Sequence, residues 1–343
     1  MIYIFGGISL DFIFTKENFI KGTSNPSDFT YRIGGVGYNI FKFLQIKGKI
    51  FITTVGNDPF GKIILESSDI KNINKIFIED YCNDYNKGYT NNYTNYYNNS
   101  YSNDYNNAYF NDYNNNYANA IKINQMENLN LSNLPAIIFM IAKEFPTSIY
   151  NVLMQKGSCY IATADFRIIE KNLIFSKISF ILKNINENDL AILDSNIQKD
   201  ELEKIINNLS ERKIKIFFET ISLEKTKRAK DIIKNIYFTS PDTLEFNELL
   251  EDYESIFDYM EKQNIEYILR TDGADGSTLF KKKEKSYLIY KPKRVLNVKD
   301  TTGAGDFLFS KIVQLFSEGF SIEKSVEIAT DEVLIYLEEL NNI

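Results

Sequence analysis

The sequence predicts an α/β fold: a mainly parallel central sheet flanked by helices on both faces, with a small antiparallel β-sheet lid. Three observations carry that prediction. Short apolar runs alternate with amphipathic helical stretches through the second half of the chain. Two pairs of short segments, one near each end of the first half, have the pattern of antiparallel strands. A glycine-rich turn, Asp300-Thr301-Thr302-Gly303-Ala304-Gly305-Asp306, opens an apolar helical pattern close to the carboxyl end. Repeated strand-helix alternation builds a parallel sheet covered on both sides, and ligands of such sheets gather at the carboxyl ends of the strands.

Taken in order, Met1 leads directly into the strand-like Ile2-Tyr3-Ile4-Phe5 with no charged leader before it. Asp11–Phe14 with Phe29–Ile33, and Ile149–Leu153 with Cys159–Ala164 across Gln155-Lys156-Gly157, read as the short antiparallel pairs. They place lid segments at about 11–33 and 147–166. Val55-Gly56-Asn57-Asp58-Pro59 is a strand end running into a helix start, with Asp58 as the cap. From 81 to 118 the composition collapses to Asn and Tyr with scattered Asp and Ser. A stretch without aliphatic residues or a period cannot bury enough surface to offset its chain entropy, so it reads as a disordered insertion. Its role is open between a tolerated surface loop and an interaction segment. Leu190–Leu193 is a buried strand, followed by Leu202, Ile205, Ile206 and Leu209 at helical spacing. Ile214–Phe218, a charged helix from Glu224 to Ile233, Ile236–Phe238 and Tyr267–Leu269 continue the alternation. The 343 residues then form one α/β domain with a lid and an insertion.

Composition removes several classes of function. The chain contains no histidine, which excludes Ser-His-Asp and Cys-His nucleophilic sites and His-ligated zinc together. Cys82 and Cys159 are far apart and give neither a zinc spacing nor a disulfide framework. A net charge of −7 without a basic cluster speaks against nucleic acid and anionic membrane surfaces as partners. No apolar run approaches the roughly 18 residues of a membrane span, so a cytoplasmic protein with a small-molecule substrate is expected.

The turn at residues 300–306 supplies a specific chemistry. Its backbone amides and the positive end of the following helix converge on one point, which suits a phosphate in transfer. Asp306 stands beside that point. A carboxylate there cannot help to hold the phosphate, since like charges repel, and its natural task is to take the proton of an attacking hydroxyl. Alone, the string also describes a glycine turn with Asp306 as a helix cap.

With these pieces the chain resembles the ribokinase-like (PfkB) family of sugar and nucleoside kinases across nearly its whole length outside the insertion. The family's carboxyl-terminal motif, DTxGAGD, stands here as Asp300 to Asp306. The resemblance implies that the amides of Gly303, Ala304, Gly305 and Asp306 form an anion hole for the γ-phosphoryl group, with Asp306 as the base and Thr301 beside the nucleotide. Gly6-Gly7-Ile8-Ser9-Leu10-Asp11 and Gly34-Gly35-Val36-Gly37-Tyr38-Asn39 match the family's two amino-terminal elements. Asp11, Gly34, Gly35 and Asn39 are therefore expected to hold the sugar, although singly Asp11 also suits a turn and Asn39 a helix cap. Pro241-Asp242-Thr243-Leu244-Glu245 corresponds to Pro-Asn-x-x-Glu, with Asp242 in place of the Asn. By resemblance Asp242 and Glu245 organise Mg2+ and the phosphates. Thr271, Gly273 and Gly276 match Thr-x-Gly-x-x-Gly, which lines the nucleotide phosphates; the same string also describes a hairpin. The implied cofactors are ATP, Mg2+ and a monovalent cation such as K+, and relatives often form a homodimer through the lid.

Several strings look closest to the pseudouridine kinase branch: Gly35-Val36-Gly37-Tyr38-Asn39-Ile40, Pro146–Tyr150 leading to Ala164-Asp165-Phe166, Leu193–Asn196 and Phe218–Ser222. That resemblance implies phosphorylation of pseudouridine at its 5′-hydroxyl, with Thr147 and Asp165 reading sugar or base; both also suit solvated strand positions. Ribose, fructose, adenosine and inosine stay open as acceptors within the class. A catalytically silent protein that binds ligand or partner through the insertion is the alternative from another class.

Overall fold

The computed structural model describes residues 1–79, 121–122, 135–296, 298 and 300–341. The insertion expected at 81–118, and Cys82 within it, lie outside the described residues. The strands in chain order are β1 (Ile2–Phe5), β2 (Ser9–Lys16), β3 (Asp28–Gly34), β4 (Lys49–Gly56), β5 (Asn74–Glu79), β6 (Ile121–Lys122), β7 (Ala136–Ala142) and β8 (Ile149–Gln155). They continue as β9 (Ser158–Asp165), β10 (Leu190–Asp194), β11 (Lys215–Glu219), β12 (Phe238–Thr239), β13 (Tyr267–Thr271), β14 (Ser277–Lys281) and β15 (Ser286–Tyr290).

Eleven strands form one sheet in the order β15-β14-β13-β12-β11-β10-β1-β4-β7-β5-β6. Its pairs are parallel except for the edge pairs β13-β14 and β14-β15. The inner strands are buried on both faces, which is why they read as unbroken apolar runs. Alternate residues serve opposite layers: Tyr3, Phe5, Leu193 and Phe218 join the core on one face, and Ile2, Ile4, Ile192 and Phe217 the core on the other. The helix Lys199–Glu211 buries Leu202, Ile205, Ile206 and Leu209, as their spacing requires.

Strand β1 lies between β4 and β10, where the chain order reverses. The crevice beyond the carboxyl ends of β1 and β10 is therefore the topological switch point of the sheet, the place where such folds bind ligands. The helix Ala304–Ser317 is fixed relative to it by Phe309, Ile312 and Val313, which are buried in the same layer as Phe217 and Phe238.

A second sheet of four strands, β3-β2-β8-β9, forms the lid. Its outer pairs are antiparallel as expected, but the central pair β2-β8 is parallel. The reason is topological. Strands β2 and β8 each follow a strand of the parallel main sheet, so they leave the body in the same direction. Two further elements are shorter than the sequence predicts. The helix after β11 ends at Ala229, where the chain turns to bury Ile232 and Ile233, and β12 starts only at Phe238. Among the described residues no helix is long and apolar enough to cross a membrane.

Candidate active site

The turn at 300–306 is held from both sides. Asp300 Oδ1 accepts from the Thr302 amide at 2.8 Å, and the Ala304 amide donates to the Thr301 carbonyl at 3.1 Å. Gly303 adopts φ 77°, a left-handed conformation that favours glycine and swings the chain into the helix. From the carboxyl-terminal helix Ile322–Asn341, Asn341 accepts from the Asp300 amide at 3.0 Å and donates to the Asp300 carbonyl at 2.8 Å. Tyr336 donates to the Thr302 carbonyl at 2.8 Å and stacks on Phe307 with ring centroids 4.7 Å apart. The last helix is thus a clamp on this turn, a role its sequence does not announce.

One expected member of the anion hole is already committed, since the Ala304 amide serves the turn itself. Among the described residues the amides of Gly305 and Asp306 meet no acceptor, as first-turn helix donors do not. A Cβ on Gly305 would meet nothing within 4 Å, so the chain is open to solvent beside that residue. Asp306 Oδ2 accepts from Asn39 Nδ2 at 2.7 Å. Burial pushes the Asp306 carboxyl up to about 6; the Asn39 hydrogen bond pulls it down, and the charges of Asp194 and Asp11 raise it further. Asn39, expected at the sugar, therefore aims the carboxylate, from a helix (Val36–Phe43) at the other end of the chain.

Asp11, on β2 of the lid, is buried and is also raised to about 6, chiefly by desolvation. Ser9 Oγ donates to its Oδ1 at 2.7 Å, and Arg32 Nε, from the paired position on β3, stands 3.9 Å from Oδ2. A Cβ at Gly34 would lie 2.0 Å from Asp11 Oδ2, so glycine is what leaves room for this carboxylate. Gly35 has φ 95° and its α-carbon faces the Gly7 carbonyl, where a Cβ would come to 2.6 Å. The two glycine pairs are thus packed backbone to backbone at the mouth of β1.

Three further groups, none given an individual role by the sequence, act on these carboxylates. Asp194, fully buried at the end of β10, accepts from the Gly7 amide at 2.8 Å and the Asn196 amide at 3.0 Å. Burial raises its pKa. Glu219, at the end of β11, is held well above the usual carboxylate range by desolvation and then by the charges of Asp306 and Glu245. Arg32 is the cation that lowers Asp11 and Asp306.

Asp242 and Glu245 form a capping box at the start of the helix Thr243–Leu250. Asp242 Oδ1 accepts from the Leu244 and Glu245 amides, while Glu245 Oε2 accepts from the Asp242 amide at 3.0 Å and from Thr220 Oγ1 at 2.7 Å. Burial raises the Glu245 pKa. Thr271 pairs with this segment, its amide donating to the Pro241 carbonyl at 3.0 Å, so Asp242 and Thr271 are neighbours. Gly273 faces open space, whereas a Cβ at Gly276 would lie 2.2 Å from the Tyr290 carbonyl. Gly276 is therefore a requirement of the β13-β14-β15 hairpins.

Two lid residues expected at the substrate are engaged within the protein. Thr147 is buried; it donates through its amide (2.6 Å) and hydroxyl (2.9 Å) to the helix-capping Asp58 and accepts from the Gly56 amide at 2.9 Å. Those bonds weld the lid to the end of β4 and leave the hydroxyl no task at a substrate. Asp165 is gripped by Arg167 in a two-pronged ion pair, Nε at 2.9 Å and Nη2 at 2.6 Å, which lowers its pKa.

Among the described residues no cluster of three or more His, Cys, Asp or Glu side chains forms a metal cage. The group Glu219, Glu245 and Asp306 nonetheless gathers negative charge that raises Glu219, with no cation among the causes of its shift. That suits a Mg2+ arriving with nucleotide phosphates, since Mg2+ commonly binds through one or two carboxylates, water and phosphate.

Residues 162–331 match the family described as pfkB family carbohydrate kinase. Among solved structures, a ribokinase from Giardia lamblia shares the fold at a TM-score of 0.64 and 15% identity, covering 96% of this chain and 90% of that one. A ribokinase from Thermotoga maritima matches at 0.63 and 16%, covering 98% and 92%. A nucleoside kinase from Methanocaldococcus jannaschii, described as an archaeal member of the ribokinase family, matches at 0.60 and 16%, covering 98% and 91%. Among curated proteins none matches the chain by sequence.

Proposed function

We propose that the chain is a kinase of the pfkB carbohydrate kinase family, whose model matches residues 162–331, and that it transfers the γ-phosphoryl group of ATP to the 5′-hydroxyl of pseudouridine. One observation carries the chemistry: a half-buried carboxylate, Asp306, sits at a helix mouth beside two amides that have no acceptor among the described residues and is aimed by Asn39. In this reading Asp306 takes the proton of the attacking hydroxyl. A pKa of about 6 leaves it ionised at neutral pH yet basic enough to bond a hydroxyl. The amides of Gly305 and Asp306 receive the charge that develops on the phosphoryl oxygens. Asp11, desolvated and bonded by Ser9, accepts hydroxyls of the sugar, while the lid that bears it excludes water from the donor. Glu245 and Asp242 would hold Mg2+ together with the nucleotide phosphates, and the ion would supply positive charge that offsets the donor phosphates.

The acceptor rests on the local strings shared with the pseudouridine kinase branch and on a floor built from two of them, Asp194 to Asn196 and Glu219 to Ser222. Incubation of the protein with Mg2+, ATP and a panel of pseudouridine, uridine, adenosine, inosine, ribose and fructose tests the reading. ADP release and a 5′-phosphate product with pseudouridine above all others are expected. Turnover confined to ribose or fructose would replace the acceptor, and no ADP with any member would remove the reaction.

A further inference from the structure

Where β9 returns to the body, a cavity of about 430 Å³ opens between Ala164, Asp165, Phe166, Arg167, Glu170 and Lys225. Most of its charges are spoken for: Asp165 pairs with Arg167, and Glu170 with Arg228. Lys225 is different. Its ammonium lies 4.6 Å from the centre of the Phe166 ring and makes one side-chain hydrogen bond, to Asn196 Oδ1. Burial lowers its pKa. A desolvated ammonium with hydrogen-bond capacity to spare, lining a cavity, costs free energy unless a ligand uses it.

This cavity adjoins the glycine pair at the mouth of β1 through Phe166. A Cβ at Gly7 would lie 2.8 Å from Asn196 Nδ2 and 3.1 Å from Phe166, so the mouth of β1 packs against both. Asp194 holds Gly7 and Asn196 on that side, and its charge is felt by Lys225 at one end and by Asp306 at the other. A ligand with its hydroxyl at Asp306 and its body over Gly7 therefore has its far end against Phe166, Asn196 and Lys225.

We propose that Phe166 and Lys225, the latter held by Asn196, form a nucleobase subsite selective for bases that bear ring carbonyl groups. The aromatic wall suits a flat heterocycle, and the ammonium offers a charge-assisted hydrogen bond to a carbonyl oxygen. Adenine, which has no carbonyl, and a free pentose, which has no ring to place there, forgo that bond. The inference rests on the kinase reading for the position of the hydroxyl, but the subsite is a binding property and is tested as one.

Calorimetric titration of pseudouridine, adenosine and ribose into the full chain, without ATP, gives the affinities. Wild-type protein is expected to bind pseudouridine more tightly than adenosine or ribose. Lys225→Met, which keeps the length and removes the donor, is expected to lower the pseudouridine-to-ribose affinity ratio about 10- to 100-fold, the worth of a hydrogen bond to a charged group. Phe166→Leu provides a second variant should the first fail to fold, and is expected to move the ratio in the same direction. A wild-type preference for ribose, or a ratio unmoved in folded variants, overturns the subsite. Absence of ADP with every acceptor would remove the kinase reading while leaving this binding test intact.

Discussion

Replacing Asp306 with Asn should stabilise the fold while removing the activity, and the two effects have one cause. The carboxyl is held at about 6 against an ordinary 3.8. That difference is worth about 3 kcal/mol against the ionised folded state. The helix N-terminus that favours the charge returns up to about 1 kcal/mol, so a net gain of about 2–3 kcal/mol is expected at pH 8. Between about pH 4 and 6 the folded protein keeps a proton that the unfolded chain has released, and this group's contribution therefore falls as pH rises through that window. The advantage of the variant should shrink to about half at pH 5. Asn39 keeps an oxygen to bond, since the amide retains one acceptor. Thermal or urea unfolding at pH 8 and pH 5 reads the effect, as a rise in Tm of about 2 °C per kcal/mol. Turnover should fall by about two to four orders of magnitude, and the wild-type rate should drop below about pH 6. A variant no more stable than wild type at pH 8, or an advantage that does not narrow at pH 5, would refute the account of a desolvated base.

Gly34→Ala places a methyl group against Asp11 Oδ2, 2.0 Å away before relaxation; steady-state kinetics should show the acceptor KM raised about tenfold or more with the ATP KM unchanged. Thr147→Val removes the hydroxyl that joins Asp58 and the Gly56 amide; denaturant unfolding should show a loss of about 2–4 kcal/mol with the acceptor KM nearly constant, whereas a selective rise in that KM would return Thr147 to the substrate.

Much of the fold was legible because its signals are local. Buried parallel strands declare themselves as apolar runs, and the helix after β10 by the spacing of Leu202, Ile205, Ile206 and Leu209. The capping box at Asp242 and Glu245 was in plain view as an acid three residues before Glu, yet the same string was read for its metal chemistry; the structure gives both side chains a helix-capping task as well. Thr147 shows the opposite failure. Its residue type and its place beside the lid suited a substrate reader, and only the contact with Asp58, 89 positions away, gives it a structural role.

What the chain's own order of residues determined is the chemistry of each short piece: a glycine turn with an acid at its end, two glycine pairs, and the exclusion of histidine mechanisms. These follow from backbone geometry and side-chain type within a few residues. The tertiary structure alone decided which pieces meet. Asn39 reaches Asp306 across 267 positions, and Asp194 reaches Gly7 across 187, because β10 lies beside β1 and the helix after Gly303 packs over them. A lone Asp or Glu at the end of an apolar strand carries no signal of its own. Asp194 and Glu219 acquire their raised pKa values only when parallel strands bring their carboxyl ends to one crevice and take the water away.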